Sequence, residues 1–312
     1  MTRAGQLMLE FNNVSAGARK KASYKNTRTT GKEQYYTMPG VVDTCVKAMG
    51  ECVDLTDKII LEPCGGTGEF IDGLVRAGIP ASNIVSYDIE PEHDGVTHGD
   101  FLQTEVDEEV VTITNPPFGR CNSLAKKFFH QAARSSTHIG FLVPKSWRKW
   151  TVINSLPRKF HLVKDIELPR DCFYLAGDKK TKKGVLSTIF QVWERRAEDR
   201  EIISIPDNGL ITKIRPDKKG TVKGANTSMV TFGHSCGRVL PIQGDVHRKT
   251  TTMYLSVQRP DVLSALPHLN LARFYKNVAY VEALSIQEIN YALNEYLGHP
   301  NYKFQNQIYL RK

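Results

Sequence analysis

Long apolar runs are missing from this sequence: no stretch of its 312 residues approaches the roughly 18 consecutive apolar residues that a membrane helix needs. The first thirteen residues also lack the charged-then-apolar order of an export signal, so the expectation is a soluble, cytoplasmic protein with no membrane partner. Cysteine is present at Cys45, Cys52, Cys64, Cys121, Cys172 and Cys236 but never as a C-x-x-C pair. That spacing suggests neither a zinc site nor a disulfide framework, and we read reduced thiols and no metal. The dinucleotide fingerprint G-x-G-x-x-G is absent, as is a Walker lysine. With 40% hydrophobic and 24% charged residues, the chain is no low-complexity polymer and can bury one large core with a second module beside it.

Acid is scarce only locally. The net charge is +9, from 42 Lys and Arg against 33 Asp and Glu, but it is unevenly laid down. Residues 1–32 hold seven bases and one acid, 33–144 seven and 17, 145–183 eleven and four, and 184–312 seventeen and eleven. An acidic block between basic ones suggests a domain that handles a small cofactor, flanked by surfaces that meet a polyanion. Residues 15–34 are polar and basic with no apolar period, and residues 1–32 read as a basic mobile arm.

From Pro39 onward, Val41, Val42, Cys45, Val46 and Met49 share one helical face. Strands are then expected at 58–61, 83–87, 110–114, 138–143, 160–168 and 185–193, with helices at 69–77 and 123–134 between them. This alternation predicts a parallel α/β sheet with helices on both faces, over 33–198. Past residue 199 short strand-like runs at 201–205, 210–214, 229–232, 238–242 and 251–257 predict a strand-rich α+β module. It closes on a helix announced by Ser285 and Glu288 at capping-box spacing.

Three strand ends carry chemistry. Glu62-Pro63-Cys64-Gly65-Gly66-Thr67-Gly68 follows the first strand, where glycines let the backbone approach a ligand. Asp88 ends the second strand, placed to accept two hydrogen bonds from a ribose diol. Asp100-Phe101 follows, an acid suited to an adenine amino group beside a ring suited to the base plane. The third is Asn115-Pro116-Pro117-Phe118, where two prolines pin the loop so that the Asn115 amide and Pro116 carbonyl project rigidly beside an aromatic ring. Such a set can accept both hydrogens of an exocyclic amine while Phe118 stacks on the base.

These motifs together resemble the class I S-adenosylmethionine-dependent N6-adenine methyltransferases, in the motif order of the gamma group, over roughly 33–195. The resemblance implies a Rossmann-like methyltransferase sheet and S-adenosylmethionine as cofactor. It implies cofactor contacts from Tyr36, Thr37, Glu62, Pro63, Gly65, Gly66, Gly68, Asp88, Ile89, Asp100, Phe101 and Asn115. Asn115, Pro116, Pro117 and Phe118 are the implied catalytic residues, and Phe173 is the implied aromatic beside a flipped base. Phe118 stands where Tyr is commoner, which keeps stacking and loses a hydroxyl. Lys145, Arg148, Lys149, Lys179, Lys180, Lys182 and Lys183 are expected to meet phosphates, and Arg248, Lys249 and Arg259 to influence target choice. The implied partner is nucleic acid, duplex DNA foremost. The alternatives are an RNA adenine methyltransferase, a protein glutamine methyltransferase and a non-catalytic nucleic-acid-binding subunit.

Overall fold

The computed structural model describes residues 35–175, 178–182 and 186–310. Two compact units divide the chain: the first is built from residues up to Pro144 together with Asn154–Arg200, the second from Lys145–Ile153 and Glu201–Lys312.

In the first unit, β1 (Tyr35–Thr37) leads into α1 (Pro39–Gly50), where Pro39 occupies the first turn that its missing N–H and fixed φ suit. Then follow β2 (Ile60–Glu62), α2 (Glu69–Arg76), β3 (Ile84–Asp88), β4 (Thr97–His98), β5 (Val110–Thr114), α3 (Ser123–Ala132) and β6 (Ser136–Pro144). After them come β7 (Phe160–Glu167), β8 (Phe173–Leu175), β9 (Asp178–Lys182) and β10 (Thr188–Arg195). Seven strands form a mixed sheet in the order β4-β3-β2-β5-β6-β10-β7. The pairs among β4, β3, β2, β5 and β6 are parallel, while β10 runs antiparallel to both its neighbours.

Both faces of this sheet are covered, which is why β2 and β5 are buried without alternation. Adjacent residues of β6 show the two sides. Leu142 belongs to the core formed with Val42, Met49 and Leu74 of α1 and α2, whereas Phe141 packs edge-on against Phe129 of α3 at 5.4 Å. The result is a Rossmann-like α/β sheet. From β2 the chain steps outward through β3 and β4, then returns to β5 on the other side of β2. The order therefore reverses between β2 and β5, and it is outside the carboxyl ends of the strands at such a switch point that open α/β sheets bind ligands.

The second unit contains β11 (Thr212–Ile214), β12 (Thr221–Val222), β13 (Thr227–Val230), β14 (Val239–Pro241), β15 (Val246–His247) and β16 (Thr252–Ser256). Four of them make an antiparallel sheet, β11-β16-β13-β14, and β12 pairs with β15 separately. Besides a one-turn helix at Trp150–Ile153, the helices are α4 (Pro260–Ala265), α5 (Ala272–Tyr275) and α6 (Ile286–Leu297). Ser285 and Glu288 form the expected capping box on α6, and Gly298 closes it at φ 68°. Residues 201–205 were expected as a strand; they bury Ile203 and Ile205 and expose Ile202, yet join no ladder. The alternation is real, but it reflects alternating side-chain burial and no strand ladder. Among the described residues no helix is long and apolar enough to cross a membrane.

The segment Lys145–Ile153 corrects the reading of the basic block. It belongs to the second unit, where Trp150 packs its ring against Phe274, Tyr291 and Phe304 at 5.5, 5.6 and 5.4 Å. Lys149 Nζ donates to the Phe274 and Ala283 carbonyls at 2.9 Å each and to Glu288 at 2.7 Å. Arg148 is buried and donates to Asn277, and Lys145 is half-buried. Lys149 and Arg148 are thus structural, because a phosphate would have to displace partners already within hydrogen-bond distance. Replacing Lys149 by Met leaves the Glu288 carboxylate, whose side chain is 5% exposed, with its Ser285 hydrogen bonds but without its cation. The variant is expected to lose about 3 kcal/mol of stability, measured by denaturant unfolding; an unchanged midpoint would refute this account of Lys149.

Candidate functional site

The glycine-rich turn leaves β2 at the switch point and is stitched to β3. Gly65 N–H donates to the Tyr87 carbonyl at 2.9 Å, and Gly68 N–H donates to the Gly65 carbonyl at 2.7 Å. Gly66 (φ 48°) and Gly68 (φ 79°) occupy the left-handed region that glycine tolerates best. Their neighbours demand glycine as well. A Cβ on Gly65 would lie 2.2 Å from Ser86 Oγ, and one on Gly66 would lie 2.8 Å from the Tyr36 ring. Close backbone approach here thus serves the chain's own packing in addition to any ligand.

Asp88, at the tip of β3, is half-buried and accepts from Gly66 N–H through Oδ2 and from Glu90 N–H through Oδ1, both at 2.9 Å. Each oxygen keeps a further lone pair for a donor such as a hydroxyl. The next side chain, Ile89, is 51% exposed and offers an apolar face beside that carboxylate. Asp100 is occupied differently: it accepts from Leu102 N–H at 3.0 Å and from Gln103 Nε2 at 2.7 Å, capping a short turn. Phe101 corrects an expectation. Its ring is buried against Phe128 at 5.8 Å, so it cannot present a face to a base where it stands. An apolar residue after an acid marks a turn into the core equally well, and burial decided between the two.

Glu62 ends β2 with no exposure at all. Its Oε1 accepts from Cys64 N–H at 2.9 Å and from the Thr114 hydroxyl at 2.5 Å, which ties the ends of β2 and β5 together across the switch point. Its Oε2 is buried without a hydrogen-bond partner. Burial pushes the Glu62 carboxyl up to about 8, against the pull of the Thr114 and Cys64 hydrogen bonds.

Asn115 emerges half-buried from the fully buried β5, followed by buried Pro116, exposed Pro117 and half-buried Phe118. Positive φ at Gly119 (66°), Cys121 (53°) and Asn122 (61°) turns the chain sharply into α3. Phe118 meets Phe173 edge-on, with ring centroids 6.5 Å apart and planes at 67°. Phe173 is 2% exposed and part of the core. This corrects its implied place beside a flipped base: it buttresses Phe118 from behind.

A short ladder lies over the glycine turn. β1 pairs antiparallel with β8, Tyr36 opposite Tyr174, and Thr37 is buried beneath. Tyr36 Oη donates to Glu92 at 2.5 Å, and Tyr174 Oη donates to Glu69 at 2.7 Å while contacting Thr67 Oγ1 at 3.0 Å. Burial and the neighbouring Glu92 carboxylate hold the Tyr36 phenol well above its ordinary range. The sequence reading missed Glu69, Glu92 and Tyr174 and gave Thr67 no role of its own within the glycine-rich turn. Only Tyr174, next to Phe173 in the strand, left a usable trace; the rest read as ordinary loop and helix-start residues. Lys179, Lys180 and Lys182 lie on β9, but their side chains fall outside the described residues, as do Lys183 and the basic arm 1–32.

Scans against protein-family models and curated proteins give no match. Solved structures give a likeness of fold. One is a candidate RNA methyltransferase from Pyrococcus horikoshii, 14% identical over 62% of this chain and 99% of that one, with a TM-score of 0.42. A candidate class I S-adenosylmethionine-dependent methyltransferase from Listeria monocytogenes shares 14% identity over 52% and 60%, at 0.36. The M protein of the type I restriction enzyme EcoKI shares 13% identity over 52% and 44%, at 0.37.

Proposed function

We propose that this chain is an S-adenosylmethionine-dependent methyltransferase that modifies the N6 amine of adenine in nucleic acid, duplex DNA foremost. One juxtaposition carries the reading. The carboxylate of Asp88 and the turn 62–68 leave β3 and β2 on one side of the switch point, and Asn115-Pro116-Pro117-Phe118 leaves β5 on the other. The residues suit a nucleoside cofactor: Asp88 has lone pairs for a ribose diol, Ile89 has an exposed apolar face, and glycines 65, 66 and 68 keep the turn close to the sheet. Bound there, S-adenosylmethionine supplies a methyl group on a positively charged sulfur.

The chain's own residues then act on the acceptor. An adenine amine is a poor nucleophile because its lone pair is delocalised into the ring. Accepted by the Asn115 side-chain carbonyl and the Pro116 carbonyl, its two hydrogens are held so that the nitrogen becomes pyramidal and aims its lone pair outward. Orientation and preferential binding of that geometry lower the barrier. In a duplex the amine lies inside base pairing, so the base must be flipped, at a few kcal/mol, onto Phe118.

Charge supports nucleic acid over a protein acceptor. The first unit carries 25 Lys and Arg against 25 Asp and Glu, the second 17 against 8, so the whole +9 belongs to the second. The direct test is base-resolved mapping of methylated adenines after incubating the purified chain with labelled cofactor and duplex DNA or RNA. Methyl incorporation into protein alone overturns the reading. Within it, Phe118→Tyr or Phe118→Trp is expected to retain far more activity than Phe118→Ala, since base stacking is worth roughly 1–3 kcal/mol and needs a π face. Equal rates for the Ala and Tyr variants would remove the stacking role.

A further inference from the structure

Six of the second unit's 17 basic residues gather on one lobe that the sequence order conceals. β12 and β15 pair as Thr221 with His247 and Val222 with Val246, bringing residues 215–223 alongside 245–249. Arg248 N–H donates to the Gly220 carbonyl at 2.8 Å, which seats the turn before β12 against the end of β15. Six basic residues are thereby exposed together: Arg215, Lys218, Lys219, Lys223, Arg248 and Lys249.

Two acids accompany them and neither neutralises the group. Asp217 Oδ1 accepts from the N–H groups of Lys219 and Thr221 at 2.9 and 2.8 Å, so that carboxylate shapes the turn. Asp245 lies 4.0 Å from Lys223 in a pair whose side chains are 70% and 55% exposed. Among the described residues, Arg215, Lys218, Lys219, Arg248 and Lys249 make no ion pair. Like charges gathered on a small lobe repel one another, and a polyanion is the partner that reverses the sign of that interaction.

The lobe is held in place from below. Val222 is 1% exposed, and Tyr254, 5% exposed, donates through Oη to the His247 carbonyl at 3.2 Å and accepts from Lys249 N–H at 2.9 Å. None of the large exposed apolar residues of the described chain lies on it, which disfavours a lipid surface or an apolar protein partner.

We propose that this β12–β15 ribbon is a nucleic-acid-binding surface that grips backbone phosphates without reading sequence. The proposal rests on the reading of the chain as a nucleic-acid methyltransferase and names how the second unit would engage the substrate. It also reassigns two residues: Arg248 and Lys249 position the substrate and do not select the target. Arg259 is bound to Asp261 at 3.1 and 2.5 Å.

The test is a full-length double variant, Lys218→Glu with Arg248→Glu, beside a charge-matched control, Lys47→Glu with Lys58→Glu, on exposed residues of the first unit. Binding to duplexes of several sequences is followed across a potassium chloride series, and S-adenosylmethionine binding is followed by calorimetry. The ribbon variant is expected to bind every duplex at least about tenfold more weakly, with a salt slope shallower by up to about 0.9 per lost contact. Cofactor affinity should be unchanged, and the control should stay near wild type. Lys218→Gln with Arg248→Gln should give an intermediate loss, which separates missing contacts from introduced repulsion. Wild-type affinity and slope in the ribbon variant, or a loss confined to one sequence, overturns the proposal. So does ribbon-dependent binding to phosphatidylserine vesicles with none to duplex. If wild type binds cofactor but no nucleic acid, the ribbon proposal fails and the cofactor site stands. If it binds duplex through the ribbon but no cofactor, the methyltransferase reading fails alone.

Discussion

Asn115→Ala is expected to reduce methyl transfer to below a tenth of the wild-type rate while leaving cofactor affinity nearly unchanged. The separation follows from where groups sit. Asp88 and the glycine turn belong to β3 and β2, whereas Asn115 leaves β5 and in this reading acts chiefly on the acceptor amine, its implied contact with the cofactor being minor beside theirs. Loss of a contact made chiefly in the transition state lowers kcat without weakening cofactor binding. Single-turnover methylation together with cofactor calorimetry checks both halves. A variant that keeps more than a tenth of the rate has lost less than about 1.4 kcal/mol of barrier stabilisation, too little for the assigned role. Parallel loss of cofactor binding would instead make Asn115 part of the cofactor pocket.

Glu62→Gln should make folding stability far less dependent on pH, so that the variant gains on the wild type as the pH rises. The wild-type carboxyl is raised by burial to about 8 from an ordinary 4.5, so between those values the folded chain holds a proton that the unfolded chain releases. Folding stability must then fall as pH climbs from about 4.5, and it levels off once Glu62 ionises in the fold near pH 8. The full penalty is on the order of 5 kcal/mol. An amide keeps the acceptor for Cys64 N–H and Thr114 and never ionises, so the variant lacks the penalty. Melting temperatures from pH 5 to pH 9 should diverge, with the variant the flatter and the higher of the two at the alkaline end. Superimposable curves would show that Glu62 is not a buried, protonated acid.

The sequence by itself determined the α/β alternation, the covered sheet and the capping box on α6, because strand runs, turn glycines and a Ser-x-x-Glu spacing are short-range signals. It also determined that Gly65 to Gly68, Asp88 and Asn115 fall at strand ends, since each apolar run stops where its polar residue begins. Tertiary structure alone decided which side chains are available. Phe101 and Phe173 look like ring faces in one dimension and are walls of the core in three. Lys149 belongs to a basic run in sequence, yet Glu288, 139 residues away, fixes it inside the second unit. The Glu62 carboxylate is held through one oxygen by Thr114 from a neighbouring strand while its other oxygen is left buried without a partner, and the basic lobe exists only because β12 finds β15. Burial and pairing are set by contacts between distant segments, so local composition names the chemistry a residue could do, and the fold decides whether that side chain is free to do it.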